Sequence, residues 1–458
     1  MMAKLKRNML DGPLLPSIIQ YTIPIILTSI LQLLFNAADM VVVGRYCGSI
    51  YVAAVGATGS LTALIVNLFI GLSVGTSVAV AHAIGAGENA NVSKTVHTTI
   101  PAAIICGVVL TVIGILFSED MLKMMDTPEN VLPLSSVYMK IYFGGIIFTM
   151  LYNFCSSILR AAGDTRSPLV VLSISGILNV LLNLLFVIGF QMNVAGVALA
   201  TVFSQALSAI LVIITLMRRV DACRLVLKRI HIHVPQLMKI IRIGLPAGIN
   251  SSLFAISNVI IQSSVNSFGD ILMSGNAAAS NIEGFVYVTI NAFAQTSINF
   301  IGQNKGAGQY NRVIKTFFIC LSCVTVAGAA AGVLAYGFAP KLLSLYSTDS
   351  LAAIEYGILR MTWICLPYFL CGLMDTTTNA LRGLGASVTP MFISVLGVCG
   401  IRIGWIYTIF QIPQLHTPEG LYISYPISWV ITFLIEFVVF MIIFRKQVRH
   451  NNMQQLSI

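Results

Sequence analysis

Charge is what this sequence lacks. Only 9% of its 458 residues are Asp, Glu, Lys or Arg, against about 25% in a soluble globular protein. That scarcity excludes a cytosolic enzyme, a disordered scaffold and a soluble DNA-binding domain. A nucleotide-binding phosphate loop is missing too. The nearest candidate, Gly87 through Lys94-Thr95, has no Gly before its Lys, so ATP is not the energy source within this chain. Histidines number six, and only His231 and His233 approach ligand spacing. Two alone do not make a zinc site, and they read as solvated loop residues. No removable signal peptide is evident, because Lys4, Lys6 and Arg7 precede an apolar stretch longer than a signal's short core.

What fills the chain instead is hydrocarbon: 57% of the residues are hydrophobic and the mean hydropathy is +0.90. The natural solvent of such a chain is lipid. At about 20 apolar residues per crossing, the length accommodates roughly a dozen membrane helices and leaves no room for a sizeable soluble domain. Most of the nine Cys lie inside apolar runs, where a thiol behaves as a small hydrophobe, and no disulfide is expected. Cys320-Leu-Ser-Cys323 has redox spacing but no second ligand pair, and reads as packing.

Runs of spanning length fall at about 17–43, 52–82, 94–117, 135–158, 168–190 and 194–217, then at about 239–268, 272–302, 313–337, 355–380, 390–410 and 420–444. Between the two sets lies a basic stretch, 218–238, with Arg218, Arg219, Arg224, Lys228 and Arg229. A shift of 221 or 222 residues superimposes the halves: Pro24 on Pro246, Asn36 on Asn258, Gly85-Ala86-Gly87 on Gly306-Ala307-Gly308, Leu159-Arg160 on Leu381-Arg382. A constant offset with a single slip marks a duplication. Because six crossings return the chain to its starting side, the copies are parallel repeats related by an axis along the membrane normal. The expected fold is an all-α polytopic membrane protein of twelve helices. Its expected division is an N-terminal six-helix lobe over 1–217, a cytoplasmic linker over 218–238 and a C-terminal lobe over 239–458.

With the N-terminus taken as cytoplasmic, 20 Lys and Arg fall in inner loops and tails and five (Arg45, Lys123, Lys140, Lys341, Arg360) in outer ones, with Arg402 inside a span. The positive-inside rule therefore puts both termini and the linker in the cytoplasm of a cell-membrane protein. The formal net charge of +10 is an address label rather than a nucleic-acid footprint.

Ionisable residues inside spans are costly and face cavities or partners. Here they are Asp39, Glu283, Asp375, Arg402 and Glu436, four acids to one base, an interior that favours cations. Thr28, Gln32, Asn36 and Asp39 step by four, four and three residues, so they share a helix face. Asn179 and Asn183 of the fifth run are again four apart, and Thr201 follows in the sixth. Interhelical hydrogen bonding accounts for such amides and hydroxyls. It does not account for Asp39, whose carboxylate in low dielectric needs a proton, a cation or a partner. Glu283, Tyr287 and Asn291 form a second stripe, and Asp375 shares a face with Asn379; both suit a positively charged substrate. Glu436 and Arg402 are candidates for a structural ion pair. Gly71 and Gly75 have the spacing of a close helix contact. No catalytic constellation is visible, so no enzyme is expected.

This pattern resembles the multidrug and toxic compound extrusion (MATE) transporters over nearly the whole chain. Its carriers are Asp11-Gly-Pro13, Pro24, Asn36-x-x-Asp39 with Gly44, Gly85-Ala-Gly87-Glu-Asn89 and Leu159-Arg160-Ala-Ala-Gly163-Asp164-Thr165. In the second half they are Gly302-Gln303-Asn304-x-Gly306-Ala307-Gly308 and Leu381-Arg382-Gly-Leu-Gly385. The resemblance implies a V-shaped pair of six-helix lobes that exports amphipathic organic cations in exchange for protons or sodium ions by alternating access.

The acid in the first helix of many family members looks like Asp39. One branch builds a cation site from it with an Asn and an Asp of the fifth helix and a Thr of the sixth, matched here by Asn179, Asn183 and Thr201. An amide replaces the second carboxylate, which argues against tight sodium binding. The acid that another branch carries in its seventh helix is absent, where Asn258 and Gln262 stand, while that branch's tenth-helix Asp looks like Asp375. The expected coupling site is therefore Asp39 with Asn36, Asn179, Asn183 and Thr201, binding a proton or, less tightly, sodium. The expected substrate cleft is lined by Gln32, Glu283, Tyr287, Asp375 and Asn379. No other cofactor and no tightly bound metal is expected, and the chain is expected to work as a monomer in the bilayer. The rivals are a flippase of lipid-linked precursors, whose anionic headgroups call for several cationic side chains, and a channel or intramembrane enzyme.

Overall fold

A computed structural model describes residues 9–125, 127–345 and 350–456. The described residues are helical with short connections. The helices are α1 (Leu14–Tyr46), α2 (Ser49–Gly85), α3 (Asn89–Met124), α4 (Leu132–Gly144), α5 (Ile146–Ala161), α6 (Arg166–Leu184), α7 (Asn193–Met217), α8 (Val234–Asn266) and α9 (Asp270–Gly306). After them come α10 (Tyr310–Gly337), α11 (Ala339–Ser344), α12 (Leu351–Trp363), α13 (Tyr368–Gly383), α14 (Val388–Ser394), α15 (Ile401–Tyr407), α16 (Pro418–Tyr422) and α17 (Ser424–Leu456).

Among the described residues, nine continuous segments are long and apolar enough to cross a membrane. Two bent pairs, α4 with α5 and α12 with α13, each turning by 47°, raise the count to 11. The remaining element, α9, has 37 residues, ample for a crossing, but carries Asp270, Glu283, Lys305 and a series of Asn, Gln and Ser. This polar composition is compatible with a crossing because Asn276, Glu283, Asn299, Gln303 and Asn304 are all buried, where neighbouring helices rather than lipid receive them. Twelve spans in two sixfold sets are consistent with this count. Lipid-facing stripes are visible as well: Ile174, Ile177, Leu181, Leu185 and Ile188 are all exposed at helical spacing, a ridge that water would not tolerate.

The landmarks of the duplication are backbone requirements. Gly87 and Gly308 hold φ of 71° and 68°, and Gly163 and Gly385 hold 87° and 80°. Each follows a helix end in the left-handed region that closes a helix without Cβ strain. Both repeats also place a π-helical turn in the corresponding helix, Leu185–Gly189 after α6 and Val395–Gly400 after α14. Such turns widen a helix and re-aim its side chains, often at functional positions.

Packing divides the chain into two compact units: residues 27–252, and residues 9–26 with 253–458. The division runs inside α1 and α8 rather than at the 218–238 linker, so each of these helices begins in one unit and ends in the other.

In the first unit, α2 meets the opening half of α8 through glycines on both sides. A Cβ at Gly71 or Gly75 would run into the backbone of Gly248, Ile240 or Gly244, and one at Gly244 or Gly248 into that of Leu72 or Leu68. Gly71 and Gly75 thus serve packing within the chain. The linker is docked here rather than solvated. The Val226 amide donates to His97 Nε2 at 3.1 Å and the His233 amide to Thr98 Oγ1 at 3.0 Å.

In the second unit the polar helix α9 is central, packed by α10, α12 and α13. Its apolar face joins Ile18, Tyr21 and Ile25 of α1 with Ile290, Phe293, Val324 and Met361 in one core.

Candidate functional site

The site in the first unit starts from the close packing of α1 on α6. Gly176 leaves the space that the Phe35 ring occupies, and this contact brings the Asp39 face of α1 towards Asn179 and Asn183. The Asn183 Nδ2 donates to Asp39 Oδ1 and lies 3.3 Å from Asn179 Oδ1. Asn179 and Asn183 are 5% and 0% exposed, whereas Asp39 is half-buried. Asn183 stands two residues before the π-helical turn. Its own Oδ1 is buried and has no hydrogen-bond partner among the described residues.

Thr201 Oγ1 donates to the Val197 carbonyl at 3.0 Å, which leaves its oxygen lone pairs available. Asn36 and Gln32 are exposed on α1. Val42 and Val43 of the same helix pack with Val187 and Val197, with Tyr138 and Leu184 against them, and Tyr138 is within electrostatic reach of Asp39. Among the described residues Asp39 takes part in no ion pair. The structure thus brings Asp39 together with Asn183, and Asn183 with Asn179, whereas the hydrogen bonds of the described residues tie Thr201 to Val197 and leave Asn36 exposed on α1. Among the described residues the site contains no nucleophile or base arranged for chemistry.

The acids of the second unit are placed differently. Glu283 is 6% exposed and clasped by Arg360, whose Nε and Nη2 donate to its two oxygens at 2.7 and 2.8 Å. Arg360 Nη1 donates to Asn276 Oδ1 at 2.6 Å, and the Tyr422 hydroxyl reaches the same atom at 3.1 Å. Reading Arg360 as an outer-loop charge was therefore incorrect. It lies in α12 just before the break that bends the span, and it turns inward to meet α9. Glu283 is consequently not a free acid awaiting a cationic substrate.

The Glu436 and Arg402 pair does not form. Arg402 Nε donates to Ser428 Oγ at 2.9 Å and its guanidinium lies 4.0 Å from the Tyr425 ring centroid and 5.6 Å from that of Trp429, while Glu436 meets hydroxyls. The α9 stripe does hold together: Gln295 Nε2 donates to Asn291 Oδ1 at 2.6 Å and Asn291 Nδ2 to the Tyr287 hydroxyl at 3.4 Å. Tyr287 also lies beside the Asp375 carboxyl, and Asn379 Nδ2 donates to the Asp375 carbonyl at 2.9 Å. Of the five residues expected to line a cleft, Gln32 belongs to the first unit and Glu283, Tyr287, Asp375 and Asn379 to the second.

Known proteins resemble this chain along most of its length. A relative named "Probable multidrug resistance protein YoeA", from Bacillus subtilis, is 26% identical over 436 residues, 93% of each chain. "Multidrug export protein MepA" of Staphylococcus aureus is 22% identical over 83% of this chain and 85% of its own. A protein named "FAD transporter" from Shewanella oneidensis is 25% identical over 70% of this chain and 71% of its own. The fold matches a solved structure described as MATE in the bent conformation, with a TM-score of 0.89 at 20% identity over 97% and 98% of the two chains. An outward-facing MATE multidrug transporter matches it at 0.89 and 20% over 97% and 99%. The MatE family model matches residues 24–185 and again residues 246–408, one match in each half of the duplication, and the chain belongs to the MatE family of membrane transporters.

Proposed function

We propose that the protein is a secondary antiporter that exports amphipathic organic cations and is driven by the entry of protons, or of sodium ions, at Asp39. The observation that carries this reading is a carboxyl in the first helix that is hydrogen-bonded to an amide, Asn183, and takes part in no ion pair among the described residues. Two relatives named for multidrug resistance or export point the same way.

The amide supplies a mechanism. A charged Asp39 accepts the Asn183 N–H, and a protonated Asp39 needs an acceptor instead. Rotating the Asn183 amide offers Oδ1, the atom now without a partner, so proton uptake and release exchange one hydrogen-bond pattern for another. Sodium would ask for the same oxygen, together with those of Asn179 and Thr201. Either ion drives transport only as far as it binds the two conformations unequally, and reversing a 1:99 population takes about 5.5 kcal/mol of such preference. An entering cation gains roughly 2.3 kcal/mol per charge per 100 mV, which supports part of that work. The loop charge asymmetry supports both termini being cytoplasmic.

A lipid-precursor or other anionic cargo would call for free cationic side chains. The Arg360 and Arg402 guanidiniums are already engaged by Glu283 and by Ser428 and Tyr425, and Arg382 is buried within electrostatic reach of two acids, Asp375 and Glu436, which favours the cation reading. Efflux of a fluorescent organic cation from cells, with the proton and sodium gradients collapsed one at a time, is the test. Export that survives loss of both gradients, or a preference for a flavin dinucleotide over the cation, overturns the proposal.

A further inference from the structure

The second unit holds an acid that the coupling mechanism above does not use. Glu436 of α17 is 0% exposed. Its partners are hydroxyls: Thr378 Oγ1 lies 2.8 and 2.7 Å from Oε1 and Oε2, and Ser394 Oγ 2.8 Å from Oε1. Each hydroxyl has a single proton to give, so two donors face a group with about four lone-pair sites and a full negative charge when ionised. Among the described residues no ion pair reaches it.

A cation is nevertheless at hand. Asp375, Thr378, Asn379 and Arg382 follow the i, i+3, i+4, i+7 pattern of one face of α13. Arg382 is 7% exposed, donates through Nη1 to Asn379 Oδ1 at 3.4 Å, and leaves Nε and Nη2 buried without a hydrogen-bond partner among the described residues. Arg382 and Glu436 are within electrostatic reach of each other and of Asp375. The other elements packed on α17 add no charge beside Glu436. α14 brings Ser394, Arg402 of α15 is turned to Ser428 and Tyr425, and α10 stacks Phe317 on Phe437 and Phe440. A buried carboxyl without a countercharge thus sits near a buried guanidinium with two idle donors, an arrangement that is costly if both are charged.

The fold does not demand this acid, because the first repeat builds the same place from hydrocarbon. There, α6 and α7 touch at Ser175 and Ser208, as Gly397 and Thr432 touch in the second unit. One turn further along each helix stand Leu172 and Val212, both in an apolar core, where the second unit has Ser394 and Glu436. α7 contains no ionisable residue at all.

We propose that Glu436 is a second proton-binding site of this transporter, protonated in the arrangement described and ionised in another state in which Arg382 pairs with it. In that step the carboxyl O–H bond breaks, the proton passes to water, and the Nε and Nη2 donors of Arg382 take over from the hydroxyls. The role in transport rests on the proton-coupled reading above.

The test uses the full chain in liposomes. Infrared difference spectra of the wild type should contain a protonated-carboxyl C=O stretch at neutral pH that E436Q removes and D39N retains. If the E436Q difference shows ionised carboxylate bands instead, the proposal is overturned. With membrane potential clamped at zero, the substrate ratio at which net flux stops is measured against the imposed pH difference. E436Q and R382Q should each lower the slope by one proton per substrate. The double variant E436V with S394L, which copies the filling of the first repeat, should do the same while remaining folded. A wild-type slope that E436Q leaves unchanged sinks this inference alone, whereas a wild type indifferent to the pH difference sinks the coupling reading itself.

Discussion

Asp39 in the first unit and Glu283 in the second are both acids inside long helices, α1 apolar and α9 polar, and their surroundings are opposites. Glu283 is locked to Arg360 by two short bonds, with Asn276 and Tyr422 completing a closed network. Among the described residues Asp39 has one amide donor and no ion-pair partner. A buried acid with a built-in cation is satisfied permanently and can hold two helices in register. One without must take its countercharge from outside, and a charge that comes and goes is what coupling needs. On the proposed function, the contrast assigns Glu283 to structure and Asp39 to transport within one duplicated fold.

The largest effect that would break this contrast is at Asp39. D39N should abolish ion-driven efflux while leaving membrane levels and unfolding temperature near wild type, as measured by cation efflux beside thermal unfolding in detergent. Transport at the wild-type rate would remove Asp39 from the mechanism. At the Glu283 end the signs reverse. R360A should cost about 3–5 kcal/mol of stability by stranding a buried carboxylate, and E283M combined with R360L should recover most of it. A single variant as stable as wild type would show that the pair is ornamental.

The contrast sharpens at Asn183. N183D supplies a second carboxylate beside Asp39, and sodium binding measured by calorimetry should strengthen while proton-driven efflux weakens. N183A should cost about 1–3 kcal/mol of binding-site stabilisation and shift half-maximal activation by the driving ion accordingly. The smallest change is expected of T201V under proton coupling, since a hydroxyl whose proton is spent on the Val197 carbonyl has none to give Asp39. A shift of several-fold in sodium activation, with proton activation unchanged, is the outcome that would give Thr201 a ligand's role.

Much of the fold was legible in one dimension because lipid imposes a simple rule on each segment. Twelve apolar runs, the 221–222 offset and the landmark glycines all follow from local demands, and Gly87, Gly163, Gly308 and Gly385 do adopt the backbone angles that explain them. The candidate site was legible where its members share a helix, as Asn179 and Asn183 do. Charge partners across helices were not. Arg360 read as a loop residue because it lies at the edge of a run, and only the bend between α12 and α13 turns it inward. The proposed partnership of Glu436 with Arg402 failed because an aromatic pair, Tyr425 and Trp429, takes up the guanidinium, and rings carry no charge for a sequence count to register.

The order of residues alone determined that this chain lives in a bilayer, that it is a duplicated set of spans, and that its first span carries an acid. These are properties of hydrophobicity and period, which act over one helix at a time. Tertiary structure decided which acids are free. Asp39 meets an amide 144 positions away and Glu283 a guanidinium 77 positions away, and in a low dielectric the fate of a charge depends on what lies within a few ångströms of it.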